Sequence, residues 1–162
     1  MKISKLAVFL ASVLAGSYSI AATSTATIGV SAVVQPACVI TAAPLVFGTY
    51  PVGTTQPISQ QTTLTVTCSS GVSYSIGLDS GLGGNATTSV RKMTSAGADL
   101  LNYEIYRDIT RNQNWGNTAG VDIYTGSGTG LQQIIPVYGV VAPNQQVSPG
   151  NYSDTITATL TY

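Results

Sequence analysis

The sequence predicts an all-β protein of the β-sandwich type. Thr, Ser, Val, Ile and Tyr are abundant, which favours strands, and no window places apolar residues at the helical spacing of i, i+3, i+4 and i+7. Apolar residues instead alternate with polar ones over several short stretches, which are separated by segments rich in Gly, Pro, Asn and Ser. Short strands at such intervals are typical of two sheets packed face to face.

The first segment has the layout of a secretory signal peptide. Lys2 and Lys5 precede an apolar run over residues 6–14, and small residues follow up to Ala21 and Ala22. The run is less than half of the roughly 20 residues that span a bilayer. We therefore expect residues 1–21 to be a signal peptide, with the bond after Ala22 as the second choice of cleavage site. The remaining 22–162 is about the commonest size of a single domain.

Residues 22–37, which we call the leader, contain a strand with one apolar face. Every second residue from 26 to 34 is apolar, and most residues between them are small or polar. The apolar set is Ala26, Ile28, Val30, Ala32 and Val34. The extended segment spans about 30 Å, enough to run the length of a sandwich, and burying its three largest side chains is worth roughly 5 to 9 kcal/mol. The periodicity fits the first strand of the protein's own sandwich as well as a strand donated to a neighbouring subunit.

The chain has two cysteines, Cys38 and Cys68. An exported protein meets an oxidising compartment, so we predict one disulfide between them. A closed loop of this size contributes roughly 3.5 kcal/mol of stability, mainly by restricting the unfolded chain. A metal site is disfavoured, because the sequence near each cysteine supplies no second ligand.

Two alternating runs follow the leader. Residues 62–69 place Leu64, Val66 and Cys68 on one face, and residues 74–78 again have an apolar residue at every second position. Because a turn at Ser70 and Gly71 separates the two runs, we predict a β-hairpin.

Three more strands are predicted towards the end of the chain. Residues 101–106 alternate regularly, and residues 132–141 form a strand with an irregularity at Pro136, which lacks a backbone donor. Residues 152–162 are predicted to form one final strand. One face of that strand carries Ile156, Ala158, Leu160 and Tyr162.

Two loops between the strands contain candidate binding-site residues. Residues 79–89 include Gly81, Gly83 and Gly84, which we interpret as a flexible turn, because no helix follows and the lysine of a phosphate loop is missing. Trp115 lies among asparagines and a glutamine, where a tryptophan packs locally more often than it forms a sugar-stacking platform.

The residue types present disfavour catalysis. The chain has no histidine, which excludes a Ser/His/Asp triad and a histidine metal site. Two carboxylate pairs are conceivable as glycosidase acids, Glu104 with Asp108 and Asp79 with Asp122. Since Arg107 is next to Asp108, solvated ion pairs are the better interpretation. We therefore expect no enzyme, no cofactor and no small-molecule substrate.

The charge balance disfavours nucleic acid as a partner. Without the signal peptide the chain keeps four basic residues against six acidic ones, so it has no basic face to neutralise phosphates. Charged residues are only 7% of the sequence, far fewer than an ordinary soluble domain carries. We expect partners to cover much of the surface.

Three motifs resemble the spore coat protein U domain family. They are the runs LNYEIYRD over 101–108, IPVYGVVAP over 135–143 and PGNYSDTITATLTY over 149–162. The predicted export signal, the alternating leader before Cys38 and the second cysteine at Cys68 match the family as well. The resemblance covers nearly all of residues 22–162, and the last two motifs are the most specific.

Members of that family are similar to the pilins of archaic chaperone-usher pili. The resemblance implies an incomplete immunoglobulin-like β-sandwich that lacks its final strand and is completed by donor-strand complementation. A periplasmic chaperone would first fill the gap, and at the outer-membrane usher the leader of the next copy or of a related pilin would replace it. The donor residues would be the apolar set of the leader. The acceptor groove edge would comprise Ile156, Ala158, Leu160 and Tyr162, whose terminal carboxylate would bind basic groups of the chaperone.

The resemblance implies three segments, a signal peptide 1–21, a donor strand extension 22–37 and a sandwich domain 38–162. The function that we expect is that of a structural subunit, exported through the periplasm to a pilus on the cell surface and serving adhesion and biofilm formation. The alternative is a self-contained secreted binding module, a lectin-like adhesin or coat protein, that uses Trp115 and neighbouring tyrosines.

Overall fold

The computed structural model describes residues 20–162. The predicted signal peptide, residues 1–21, therefore lies largely outside the described residues. The strands are β1 (Cys38–Ala42), β2 (Ile58–Cys68), β3 (Ser73–Leu78), β4 (Arg91–Ser95), β5 (Leu100–Tyr106), β6 (Tyr124–Ser127), β7 (Gln132–Val141), β8 (Tyr152–Ser153) and β9 (Ala158–Thr161). Residues 20–162 contain no helix, and so none that is long and apolar enough to cross a membrane.

The strands form two antiparallel sheets. The larger sheet has the order β1-β2-β7-β5-β4-β8, and the smaller sheet has the order β6-β3-β9. Residues 34–162 form one compact unit. The predicted all-β fold class is confirmed.

The core lies between the inward faces of the two sheets. β3, β5 and residues 64–68 of β2 bury every second side chain, as their alternating sequences predict. The buried hydrophobic residues are Leu64, Val66, Cys68, Tyr74, Ile76, Leu78, Leu101, Tyr103, Ile105, Trp115, Ile135, Val137 and Val141.

The predicted hairpin of β2 and β3 is wrong. β2 pairs with β1 and β7, whereas β3 pairs with β6 and β9 in the other sheet. The turn between them crosses from sheet to sheet, and the backbone of Gly71 donates to Gly128 O. The apolar faces of β2 and β3 therefore belong to opposite sides of the core.

Two details of the later strands also differ from the prediction. β7 keeps a continuous register with β2 through Pro136, because β5 pairs only with residues 138–141 and so needs no backbone donor from the proline. The predicted final strand is divided. β8 and β9 belong to different sheets, and residues 154–157 between them form no strand.

The disulfide between Cys38 and Cys68 is present, as predicted, and joins directly opposed residues of β1 and β2. It closes a loop with a sequence separation of 30. We expect replacement of both cysteines by alanine to lower the free energy of unfolding by about 3.5 kcal/mol. Urea unfolding of the two proteins measures the difference. Reduction of the native protein should reproduce it, and a loss below about 1 kcal/mol would show that the link restricts the unfolded chain little.

Candidate functional site

A groove opens into the core where the edge strands of the two sheets diverge. Within the described residues β1 pairs only with β2, and β9 pairs only with β3, so each has one free edge. The two strands lie side by side. The groove has a volume of about 990 Å³. It lies between the segment that follows Ala42 and the segment that precedes Ala158.

The first wall of the groove is the segment 43–50, which follows β1. Its side chains alternate, with Leu45 and Phe47 directed to the core and Val46 exposed. The wall packs closely on β7, because a Cβ on Gly139 would lie 2.5 Å from Leu45 Cδ2 and 2.8 Å from Phe47 Cζ. The end of the wall is fixed by Tyr50, whose hydroxyl donates to Ala142 O at 3.1 Å.

The second wall is formed by residues 147–158, which include β8 and the segment before β9. Exposed residues alternate with half-buried ones from Tyr152 to Ala158, and Ile156 and Ala158 are directed into the groove. The two walls therefore present apolar side chains to the same space.

The floor of the groove is the apolar core itself. The side chains at its base come from both sheets, and Phe47 contacts Tyr103 edge to face with ring centroids 5.8 Å apart. The apolar residues of the floor are Leu64, Leu78, Met93, Leu101, Ile105, Val137 and Val141.

The backbone of both walls has unused hydrogen-bonding groups. Within the described part of the chain, residues 44–49 make no backbone-to-backbone hydrogen bond, and β9 has no strand on its second edge. Free strand edges beside apolar core favour the addition of an extended segment, which can pair with backbone groups and bury its own apolar side chains.

A polar cluster lies at the second wall. The hydroxyl of Tyr103 donates to Asp154 Oδ2 at 2.7 Å, and burial raises the pKa of that hydroxyl. Burial opposes ionisation of Asp79, but hydrogen bonds from the backbone of Thr157 and Gly81, together with the charge of Arg91, hold its pKa below the usual value.

Arg91 is fully buried beneath this cluster. Its guanidinium donates only to backbone carbonyls, and the acceptors are Leu78 O at 3.1 Å, Asp79 O at 2.8 Å, Thr88 O at 2.8 Å and Trp115 O at 2.7 Å. Burial lowers the pKa of the guanidinium, and the negative charges nearby oppose this shift. Arg91 thus joins the end of β3 to two loops.

The donor residues predicted in the leader are exposed. Residues 20–37 have no regular secondary structure, and the side chains of Ile28, Val30 and Val34 are 86%, 91% and 90% exposed. Ala26 and Ala32 are exposed as well. Every residue of 20–37 is exposed, so within the described residues the apolar side chains of the leader are covered by no other part of the chain.

The predicted acceptor residues lie in different surroundings. Ile156 and Ala158 line the groove, whereas Leu160 packs against the core further along β9, outside the groove. Tyr162 is 58% exposed and lines a separate shallow depression with Ser73 and Thr125.

Trp115 is not available as a sugar platform. It is fully buried, and its Nε1 donates to Ile76 O at 2.9 Å. An indole stays in a core when its N–H finds such an acceptor. The lectin-like alternative therefore loses the residue on which it depended.

The carboxylates considered as glycosidase acids have structural partners. Glu104 accepts a hydrogen bond from Tyr106, and Asp108 accepts hydrogen bonds from the backbone of Asn112 and Gln113 in its own turn. The predicted ion pair of Arg107 with Asp108 is wrong, because the Arg107 guanidinium donates to Ile123 O instead.

The sequence prediction missed the first wall and the buried arginine. Leu45 and Phe47 do alternate, but Pro44 and Gly48 on either side resemble turn residues. Arg91 lies beside Lys92 in the sequence and has the composition of an exposed position. The alternation of residues 45–47 is the one signal that would have identified the first wall.

Comparisons with known proteins agree on one family. The model of the Spore Coat Protein U domain family matches residues 24–159. A relative described as Protein U, from Myxococcus xanthus, is 37% identical over 168 residues, covering 94% of this chain and 92% of that protein.

Among solved structures, the chain is similar to one from the CsuC–CsuE chaperone–tip adhesion subunit pre-assembly complex of the archaic chaperone-usher Csu pili of Acinetobacter baumannii. The TM-score is 0.59 at 25% sequence identity, and the match covers 80% of this chain. The match spans 40% of the length of that chain.

Proposed function

Because this chain belongs to the spore coat protein U domain family, we propose that it is a structural subunit of a surface pilus of the chaperone-usher type. It polymerises by donor-strand exchange, in which the leader of one copy or of a related pilin enters the groove of the next. The pilus serves adhesion and biofilm formation, and the subunit itself performs no catalysis.

One observation carries this proposal, namely the apolar groove whose two walls have unpaired backbone groups. An extended strand that enters it satisfies both edges and covers the floor. The leader has the matching pattern, since Ile28 and Val30 are exposed and would lie on one face of the inserted, extended strand. Each subunit gives one surface and receives on another, so the contact is heterologous and builds an open filament.

The proposal includes two assembly partners, a chaperone that covers the exposed groove and the usher that the family resemblance implies. A groove with free edges exposes apolar core and backbone groups, a combination that aggregates unless it is covered. A periplasmic chaperone therefore covers the groove before assembly, in keeping with the chaperone–subunit complex to which the fold is similar. The usher in the outer membrane is the place of exchange, and the product lies on the cell surface.

The test is the thermal midpoint of a domain of residues 35–162 with a synthetic peptide of residues 22–34. We expect the native peptide to raise Tm by about 5 to 10 °C at a hundredfold excess over its Kd, because a ligand that binds only the folded state stabilises it by mass action. The control peptide carries aspartate in place of Ile28 and Val30 and should leave Tm unchanged.

A domain that is stable alone and indifferent to both peptides would contradict the proposal. It would mean that the sandwich is complete without a donor strand, and the protein would then be a self-contained secreted binding module or coat protein.

A further inference from the structure

Residues 79–90, which we call the Asp79 loop, are bonded to the second wall of the groove through Asp79. The backbone N–H of Asp79 donates to Thr157 O at 3.1 Å, and Asp79 Oδ1 accepts from the backbone N–H of Thr157 at 3.0 Å. Gly81 N donates to the same carboxylate at 3.0 Å. Asp79 thus occupies both backbone groups of Thr157, as a neighbouring strand would.

Asp154 makes the complementary link from the wall to the loop. Its Oδ1 accepts from the backbone N–H of Leu82 at 2.7 Å and of Thr155 at 2.8 Å, while Tyr103 donates to Oδ2. Gly81 has φ +77°, and a Cβ on it would lie 2.1 Å from Asp154 Oδ2. Any other residue at Gly81 would therefore be strained and would displace the carboxylate.

The glycines of this loop are therefore packed rather than freely mobile. A Cβ on Gly83 would lie 2.1 Å from Lys92 O of β4, whereas Gly84 has open space around it. Arg91 holds the loop from within through Asp79 O and Thr88 O. The interpretation of residues 81–84 as a flexible turn is wrong for its first part, which is closely packed on the wall and on β4.

The segment 154–157 needs such support, because it belongs to neither sheet. β8 ends at Ser153 and β9 begins at Ala158, and Ile156 between them lines the groove. Apart from the strands at its two ends, the hydrogen bonds that position this segment within the described residues come from Asp79, from the Asp79 loop and from the Tyr103 hydroxyl of β5.

We propose that Asp79 and Asp154 are positioning residues for donor-strand uptake, which hold the second wall in the conformation that an incoming strand pairs with. The inference rests on the proposed function and adds a role for the Asp79 loop. When the wall is already ordered before binding, strand uptake does not include the free-energy cost of ordering the wall. Loss of either carboxylate therefore slows uptake at the groove and leaves donation by the leader unchanged.

The acceptor in the test is the mature chain of residues 22–162 with Ile28→Asp and Val30→Asp, which can receive a strand but not give one. The probe is a fluorescently labelled peptide of residues 22–37, and its anisotropy gives the rate of uptake. We expect Asp79→Ala and Asp154→Ala to slow uptake about tenfold or more, the effect of losing at least one charge-assisted hydrogen bond.

Asp122→Ala is the matched control. Asp122 also holds a loop by a backbone hydrogen bond, from Thr118 N at 2.7 Å, but within the described residues it makes no hydrogen bond to the second wall. The uptake rate of Asp122→Ala should stay within about twofold of that of the parent. This should hold even if the unfolding midpoint of Asp122→Ala falls as far as that of Asp79→Ala. Asp79→Asn and Asp154→Asn keep an acceptor oxygen, and we expect intermediate rates from them, which provides the comparison if an alanine variant does not fold.

A second readout separates positioning from general stability. A chain with Asp79→Ala and its native leader should donate to an unmodified groove at the normal rate. The inference would be overturned if Asp79→Ala and Asp154→Ala took up the peptide at the rate of their parent, or if Asp122→Ala lost as much of that rate as they do. Either outcome would leave the proposed function in place. If the parent acceptor takes up no peptide, the proposed function fails and the inference fails with it.

Discussion

A chain with Ile28→Asp and Val30→Asp is expected to form no polymer. Each native side chain contributes roughly 1.5 to 3 kcal/mol when buried, and an ionised carboxylate in an apolar groove costs several kcal/mol more. The combined loss corresponds to more than about a thousandfold in affinity. The measurement is a denaturing gel of the unboiled protein, on which we expect a ladder of bands from the native mature chain and only the monomer from the variant.

The leader offers a matched control on its opposite face. Thr27→Asp and Ser31→Asp introduce the same charges at positions between the apolar ones, which face away from the groove when the strand is inserted. This variant should keep the ladder. Equal behaviour of the two variants would show that the apolar face does not direct the association, and a ladder that survives in both would rule out the leader as the donor.

Replacement of Arg91 by methionine is expected to lower the free energy of unfolding by about 4 kcal/mol or more. The substitution removes a buried charge but deprives four backbone carbonyls of their donor, and two of these bonds, to Leu78 O and Trp115 O, are buried. A carbonyl that is buried without a donor costs about 1 to 3 kcal/mol. A domain of ordinary stability has about 5 to 15 kcal/mol in total, so the variant will be close to unfolding. Urea unfolding measures the loss.

Two further substitutions define the cause. Arg91→Lys keeps the charge, but a single ammonium cannot reach all four carbonyls, so most of the loss should remain. Arg111 is exposed, and Arg111→Met should change stability by less than about 0.5 kcal/mol. An Arg91→Met protein as stable as the native one would show that apolar packing compensates for the carbonyls, as it does for some buried ion pairs.

The sequence predicted those parts of the fold that depend on local alternation. Leu64, Val66 and Cys68 are buried as their spacing requires, and so are the alternating residues of β3 and β5. The pattern does not reveal which sheet a strand joins, because the inward faces of both sheets have the same alternation. For that reason the sequence predicts a pairing of β2 with β3, although the partners of β2 are β1 and the distant strand β7.

Of the two walls of the groove, only the second was predicted from the sequence. Ile156 and Ala158 lie in a strand-like pattern that ends the chain, whereas Leu45 and Phe47 lie between turn residues. The positions of Arg91 and Trp115 depend on acceptors that are distant in the sequence, such as Ile76 O for the indole. No local pattern encodes such partners, because they come together only when the two sheets pack.

The disulfide determines how the domain carries a pulling force. Tension applied at the leader enters the sandwich at Cys38 and passes through the covalent bond to Cys68, so the hydrogen bonds between β1 and β2 bear little of it. The load reaches β2, which pairs with β7 over ten residue positions in the middle of the larger sheet. We therefore expect the bond to shield the short strand β1 from the load under oxidising conditions, and reduction to make β1 the weakest point.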